Sequence, residues 1–277
     1  MIYVDTRAGR FAAWSAGDGP LVLCLHGFPD TAATFEPLVP HLGGYRVVAP
    51  WMRGYAPSMT TGPCDEEQLA DDVLALADAL SPDRPAFVVG HDWGAVAAYG
   101  AIARAPARFA AAATLAVPHP AAFLRNLPRR PAQIARSWYM TFFQLPRVPE
   151  WAIRHGLIER LWRAWSPALR RPLDDVVRCV TDSLPGPLEY YRTMGRRLAA
   201  GRRPQRTRIS VPTLFLHGSA DGCIGADMAE GQERFFVGEL RQDVLEGRGH
   251  FLHLEDPAGV GARIVSWLGR HAPPAGR

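Results

Sequence analysis

The sequence contains no lysine; all 31 of its basic residues are arginine. Schiff-base chemistry on an internal lysine and a phosphate-binding P-loop lysine are therefore excluded. Cysteine is scarce and scattered. Cys24, Cys64, Cys179 and Cys223 form no C-x-x-C pair, which supports neither a disulfide framework nor a zinc knuckle. Cys24 falls inside an apolar strand and reads as a small buried hydrophobe. No apolar run approaches the ~20 residues that span a bilayer, so no membrane insertion is expected. Met1 to Gly9 lack the charged start and apolar stretch of a signal peptide, which makes a cytoplasmic location the expectation. No internal repeat or low-complexity segment is visible.

What is present fits a soluble globular enzyme. A hydrophobic share of 48% with 21% charged residues excludes disordered and collagen-like chains. At 277 residues the chain is long enough to bury a full core. The net charge of +4 is unevenly placed: residues 121–208 hold 18 Arg against 6 Asp or Glu. The simplest reading is a well-solvated arginine surface. No folded nucleic-acid recognition motif accompanies it, so no nucleic-acid partner is expected.

Strand and helix signals alternate through the N-terminal part. Short apolar strands are expected at Leu21–Leu25, Tyr45–Ala49, Ala86–Val89 and Ala110–Val117. An amphipathic helix over Asp65–Leu80 places Leu69, Val73, Leu76 and Leu80 on one face, and an Ala-rich helix runs from Trp93 to Arg104. From Pro118 to Arg208 the pattern changes to broken helical stretches rich in Trp, Tyr, Arg and Pro. Strand signals return at Pro212–Leu216 and Leu240–Leu245, followed by a helix over Pro257–Leu268. The expected fold is α/β: a mostly parallel sheet with helices on both faces, whose core comprises residues 1–117 and 209–277. A helical cap, 118–208, is inserted between the two parts. Gly-Arg-Arg-Pro at 201–204 is the expected way out of the insert, and Ala272 to Arg277 read as a loose tail.

The central motif is Gly90-His91-Asp92-Trp93-Gly94, between a strand and a helix. It has the form of the G-x-S-x-G nucleophile elbow with aspartate in place of serine. Small residues at 90 and 94 suit a strained turn with close helix–strand packing. The turn projects Asp92 beside a helix N-terminus, which favours its ionised form. The competing reading is a plain helix cap, a role aspartate fills well. Chain order decides between them, since this elbow is followed by an acid and then a histidine. Asp221 follows one late strand and His250 the next, both at strand carboxyl ends, where open parallel sheets build sites. His250 is the candidate base and Asp221 its orienting acid. His253 is a lesser rival, and a metal pair at His250 and His253 has no obvious third ligand. After another strand, the His26-Gly27-Phe28-Pro29 loop offers an oxyanion hole: the backbone N–H groups of Phe28 and Trp93 are expected to converge on one Asp92 oxygen.

At these residues the sequence resembles the epoxide hydrolases of the α/β-hydrolase superfamily. The elbow, the H-G-F-P loop and Gly249-His-Phe-Leu-His-Leu-Glu-Asp-Pro257 carry the likeness, which extends over nearly the whole chain. Two segments of the insert, Ser137–Pro146 and Glu189–Met194, resemble the family's lid segments that each supply a tyrosine. That resemblance implies that Tyr139 and Tyr191 point their hydroxyls at an epoxide oxygen. It also implies no cofactor and no metal, with a small epoxide and water as partners. The chain departs from the family at Trp51, where aspartate is common, and at Ala56-Pro57, where glycine is common. These read as changes in a structural turn that bear on one pocket wall.

Two alternatives stand beside this expectation. A haloalkane dehalogenase uses the same Asp-His-acid logic, but its loop resembles this one with asparagine at the position of Phe28, and a tyrosine pair suits an alkoxide better than a halide. Haloacetate dehalogenases show arginine after the nucleophile, where this chain has Trp93. The other alternative is a non-catalytic ligand receptor on the same fold, against which the complete acid–base set speaks. A homodimer is allowed by the sequence and not specified by it.

Overall fold

The structure is a computed structural model that describes residues 1–202 and 208–273. Residues 203–204 of the exit at 201–204 and residues 274–277 of the tail lie outside the described residues. Eight strands form one sheet: β1 (Ile2–Thr6), β2 (Gly9–Ala16), β3 (Leu21–Leu25), β4 (Arg46–Pro50), β5 (Ala86–His91), β6 (Phe109–Leu115), β7 (Thr213–Gly218) and β8 (Leu240–Leu245). Their spatial order is β1-β2-β4-β3-β5-β6-β7-β8. The first two pair antiparallel and β2 joins β4 antiparallel; all other pairings are parallel.

The strands alternate between two cores because side chains on a strand point to opposite faces. Leu21, Leu23 and Leu25 of β3 enter one cluster, whereas Val22 and Cys24 enter the other. Ala86 and Val88 of β5 follow the first set, and Phe87 and Val89 the second. Helices α1 (Glu66–Leu80) and α2 (Trp93–Arg104) cover the first face. Leu69, Val73 and Leu76 form the buried stripe of α1, and Asp65 caps it by accepting the Gln68 N–H at 2.8 Å. On the second face, Phe35 and Leu38 from a run of 3-10 turns pack with Val260, Ile264 and Trp267 of the C-terminal helix, Pro257–Arg270.

Between β6 and β7 the chain leaves the sheet for an inserted helical region. It contains α3 (Pro120–Asn126), α4 (Pro131–Arg136), α5 (Trp138–Phe142), α6 (Val148–Arg154), α7 (Leu157–Trp165), α8 (Asp174–Asp182) and α9 (Gly186–Ala199). Many of its arginines are tied into surface pairs. Arg192 meets Glu150 at 2.8 Å, Arg197 meets Glu67 at 2.7 Å, and Arg130 bridges Asp227 and Glu230. No helix among the described residues is long and apolar enough to cross a membrane.

The turn after β4 is fastened by a buried ion pair. Arg53 Nε donates to Asp72 Oδ2 at 2.8 Å and Nη2 to Oδ1 at 2.6 Å. Removing one member of such a pair strands the other charge in the interior, which costs about 3–5 kcal/mol. Arg53→Met is therefore expected to lower unfolding free energy by about 3–5 kcal/mol. Urea denaturation at neutral pH measures it, and a loss below about 1 kcal/mol would mean that the pair is dispensable.

Candidate active site

Asp92 is the single residue between the end of β5 at His91 and the start of α2 at Trp93. Its φ of 51° lies in the left-handed region, unusual for a residue with a side chain. The neighbours leave no room for a relaxed turn. A Cβ at Gly94 would sit 2.0 Å from the Leu25 carbonyl oxygen, and one at Gly90 would sit 2.4 Å from the Gly94 oxygen. Although Asp92 occupies the N-cap position, its side chain makes no capping hydrogen bond. The plain helix-cap reading therefore does not describe it.

The carboxylate reaches across to the loop after β3 instead. Asp92 Oδ1 accepts the Phe28 N–H at 2.7 Å. The Trp93 N–H flanks the same space, since a Cβ at Gly27 would approach Trp93 N at 2.5 Å and Asp92 Oδ1 at 2.2 Å. Of the two expected donors, only Phe28 is bonded to the carboxylate. On the other side, Asp92 Oδ2 lies 3.7 Å from His250 Nε2. His250 Nδ1 pairs with Asp221 Oδ2 at 2.8 Å, while Asp221 Oδ1 accepts the Cys223 and Ile224 N–H groups at 2.7 and 2.9 Å. The three residues expected to meet do meet, in one line.

The insert brings the tyrosines to the same place. Tyr139 on α5 and Tyr191 on α9 are both buried, with ring centroids 5.7 Å apart. Together with Asp92, Trp93, Tyr190 and Ile224 they line a cavity of about 230 Å³. Tyr191 packs edge-on to Trp93 and to Phe28. The Tyr139 hydroxyl lies 3.3 Å from Cys223 Sγ, a partner no sequence pattern suggests across 84 positions. Adjacent Tyr190 differs from Tyr191: its hydroxyl donates to the Arg53 carbonyl and so belongs to the turn after β4. The Trp51–Ser58 segment, which departs from the family, is not part of the cavity lining.

Charge separates these groups. Burial alone would lower the pKa of His250, but the carboxylates of Asp221 and Asp92 outweigh it and hold the ring up to about 10. Burial also works against the Asp221 charge, yet the facing His250 keeps that carboxyl below its ordinary range. Burial pushes Tyr139, Tyr191 and Cys223 well above their usual values, so all three keep their protons. The site thus holds two carboxylates around one imidazolium, beneath neutral hydroxyl donors.

His253 is not a second base. It is buried, stacks on Phe35 and lies beside His91. Asp30 joins His253 and His91, each contributed by a chain segment far from the others in sequence.

The His250 charge links stability to pH. Its pKa is raised from 6.5 to about 10 on folding. The stability it contributes is therefore complete below about 6.5 and drains away as pH rises through about 10. Asp92→Asn removes one of the two carboxylates and should move that loss to lower pH. Melting curves across the alkaline range, with the imidazole followed by NMR, would show it. An unchanged His250 titration in Asp92→Asn would refute the coupling.

The sequence profile of the alpha/beta hydrolase fold family matches residues 20–257. The chain is 30% identical to Epoxide hydrolase A of Mycobacterium tuberculosis, over 96% of each sequence. It is 28% identical to Epoxide hydrolase 4 of Mus musculus, over 94% of this chain and 76% of that one. The solved structure of Epoxide Hydrolase A from Mycobacterium thermoresistibile superposes with a TM-score of 0.78 at 29% identity, covering 97% of each chain. With an aspartate on the elbow and these relatives along its whole length, the chain belongs to the alpha/beta hydrolase fold family and is epoxide hydrolase-like within it.

Proposed function

We propose that this protein opens epoxides to vicinal diols through a covalent ester on Asp92, with residues 118–208 acting as the cap that closes the site. The observation that carries the reading is the Asp92 carboxylate. It is free of its own helix, has Oδ1 on the Phe28 N–H and Oδ2 toward His250, and shares a cavity with two protonated tyrosines.

Asp92 Oδ2 attacks a ring carbon, the carbon–oxygen bond breaks, and the departing oxygen takes a proton from the Tyr139 or Tyr191 hydroxyl. Esterification removes the Asp92 charge and with it one of the two carboxylates that hold the proton on His250. That proton restores the tyrosine, leaving His250 neutral and able to deprotonate water. The hydroxide adds to the Asp92 carbonyl carbon while the Phe28 N–H steadies the oxyanion on Oδ1. Collapse releases the diol oxygen, which takes a proton from His250. The proton left on the regenerated acid then returns to the imidazole. Asp221 keeps the ring in the orientation both transfers need. Splitting the reaction avoids direct ring opening by water.

The two half-reactions should fail separately. His250→Gln should still form the ester and be unable to hydrolyse it, so mass spectrometry should show protein heavier by one intact epoxide on the Asp92 peptide. Asp92→Ala should form no adduct. Both should lose turnover by ~10⁴ or more. A haloalkane substrate would add its mass less hydrogen halide, and a receptor would show no adduct even in rapidly quenched wild type. Epoxide turnover that survives in Asp92→Ala would sink the covalent route.

The tyrosine assignment predicts a different signature. Tyr139→Phe and Tyr191→Phe retain the ring packing and remove one donor each, so alkylation should slow by ~10²–10³ with stability nearly unchanged. Pre-steady-state ester formation measures this. If haloalkane turnover falls equally, the hydroxyls are not delivering protons to an alkoxide.

A further inference from the structure

The outer face of the inserted region has a composition that the reaction above does not explain. The described residues leave ten large hydrophobic side chains exposed, and half of them fall in the short stretch from Ile134 to Trp151. They are Ile134, Trp138, Leu145, Val148 and Trp151, each between 46% and 62% exposed.

Helical geometry gathers them on one side. The Ser137 N–H bonds to the Gln133 carbonyl at 2.9 Å and carries α4 into α5 with little break. Ile134, Trp138 and Leu145 then recur on a helical spacing, with half-buried Phe142 packed against Trp138 at 5.7 Å between ring centroids. The opposite face of α5 carries Tyr139 and Met140 to the cavity and buries Phe143. A tight turn, closed by the Val148 N–H on the Pro146 carbonyl at 2.7 Å, leads into α6. There Val148 and Trp151 lie one turn apart, while Pro149 and Ile153 are buried. Single exposed apolar residues are ordinary on a protein surface, whereas a contiguous set marks a contact.

Charge indicates the kind of contact. From Trp93 to Pro149 the sequence holds no aspartate or glutamate. Glu150 is taken up by Arg192 at 2.8 Å, and Arg130 by Asp227 and Glu230. Exposed Arg136, Arg147 and Arg154 enter no ion pair among the described residues. An apolar strip with two tryptophans, flanked by uncompensated arginine, matches the surface of an anionic bilayer. Indoles settle at the headgroup level, and guanidinium groups meet lipid phosphates. A second copy of this chain would instead bring the same unpaired arginines against each other.

We propose that α4 to α6 dock this protein on anionic phospholipid surfaces, resting at the headgroups without spanning the bilayer. Docking on the back of α5 holds the cavity wall formed by its front close to the membrane, where apolar compounds dissolve. The contact itself does not depend on what the cavity turns over.

The test is co-sedimentation of the full chain with vesicles of phosphatidylglycerol and phosphatidylcholine, against vesicles of phosphatidylcholine alone. Wild type should pellet with the anionic vesicles, stay in solution with the neutral ones, and be released by about 0.5 M NaCl. Arg147→Gln combined with Arg154→Gln should weaken partition by ~20-fold, at about fivefold per arginine. Val148→Ser combined with Trp151→Ser should weaken it by ~10-fold or more. Val244→Ser, comparably exposed on β8, should leave it unchanged. Vesicle binding is read without substrate, so it stands or falls apart from the catalytic reading. Equal binding to anionic and neutral vesicles overturns the proposal. So does salt-sensitive binding that the Val148 and Trp151 changes leave intact, which would reduce the arginines to a general cationic surface. Self-association in sedimentation velocity that those changes abolish, without vesicle binding, would overturn it by assigning the strip to a second copy.

Discussion

The Asp92 carboxylate is available for chemistry because its backbone withholds it from the helix it begins. An aspartate at an N-cap ordinarily accepts an N–H of the first turn. Here a φ of 51° swings the side chain toward Phe28 instead. A residue held in such a region costs about 1–3 kcal/mol and persists only where its surroundings over-determine it. The surroundings are the contacts of Gly90 and Gly94, which bring α2 against the Leu25 carbonyl. Larger residues would shift the elbow and take Asp92 off its donor before affecting anything else.

The inserted helical region is fastened to the loops that carry the other two charged groups. The Trp165 carbonyl, at the end of α7, accepts N–H groups from both Gly222 and His250. Ser166 Oγ accepts the Phe251 N–H, and Trp162 stacks on Phe251 while its indole donates to the Pro29 carbonyl. Gln133 on α4 bridges the Cys223 carbonyl and the Gly225 N–H. Lifting α4 or α7 would therefore pull on the acid and histidine loops. The α9 side differs: Met194, Leu198 and Arg202 line the outer cavity there. A substrate that entered past α9 would leave the charged line intact.

The parts legible in the sequence were those set by local rules. Short apolar runs marked β3 to β8, and the strand–turn–helix form of the elbow gave Asp92 its place. The β1–β2 hairpin gave no comparable signal, because its buried positions include Ala12 and Ala13, residues with little intrinsic strand preference. Non-local contacts were harder still. Tyr139 could be matched to a lid segment, but not to Cys223, which reaches it from a loop after β7. The neighbours of His253 gave no signal, because Asp30 comes from the loop after β3 and His91 from the end of β5. Parallel sheets gather such groups at one edge from distant segments, and spacing along the chain does not record the gathering.

The charge balance then orders the chemistry. Two buried carboxylates face one imidazole and favour its protonated form, in which it is no base. In the proposed mechanism, ester formation on Asp92 removes one of those negative charges and releases the proton. On that proposed route, water activation would wait for the covalent bond, held back by the charge on Asp92. A serine at position 92 would remove that control, because a neutral nucleophile needs a free base at the outset. The aspartate thus does more than replace one nucleophile with another. On the proposed route, it makes the state of the nucleophile the switch for the base.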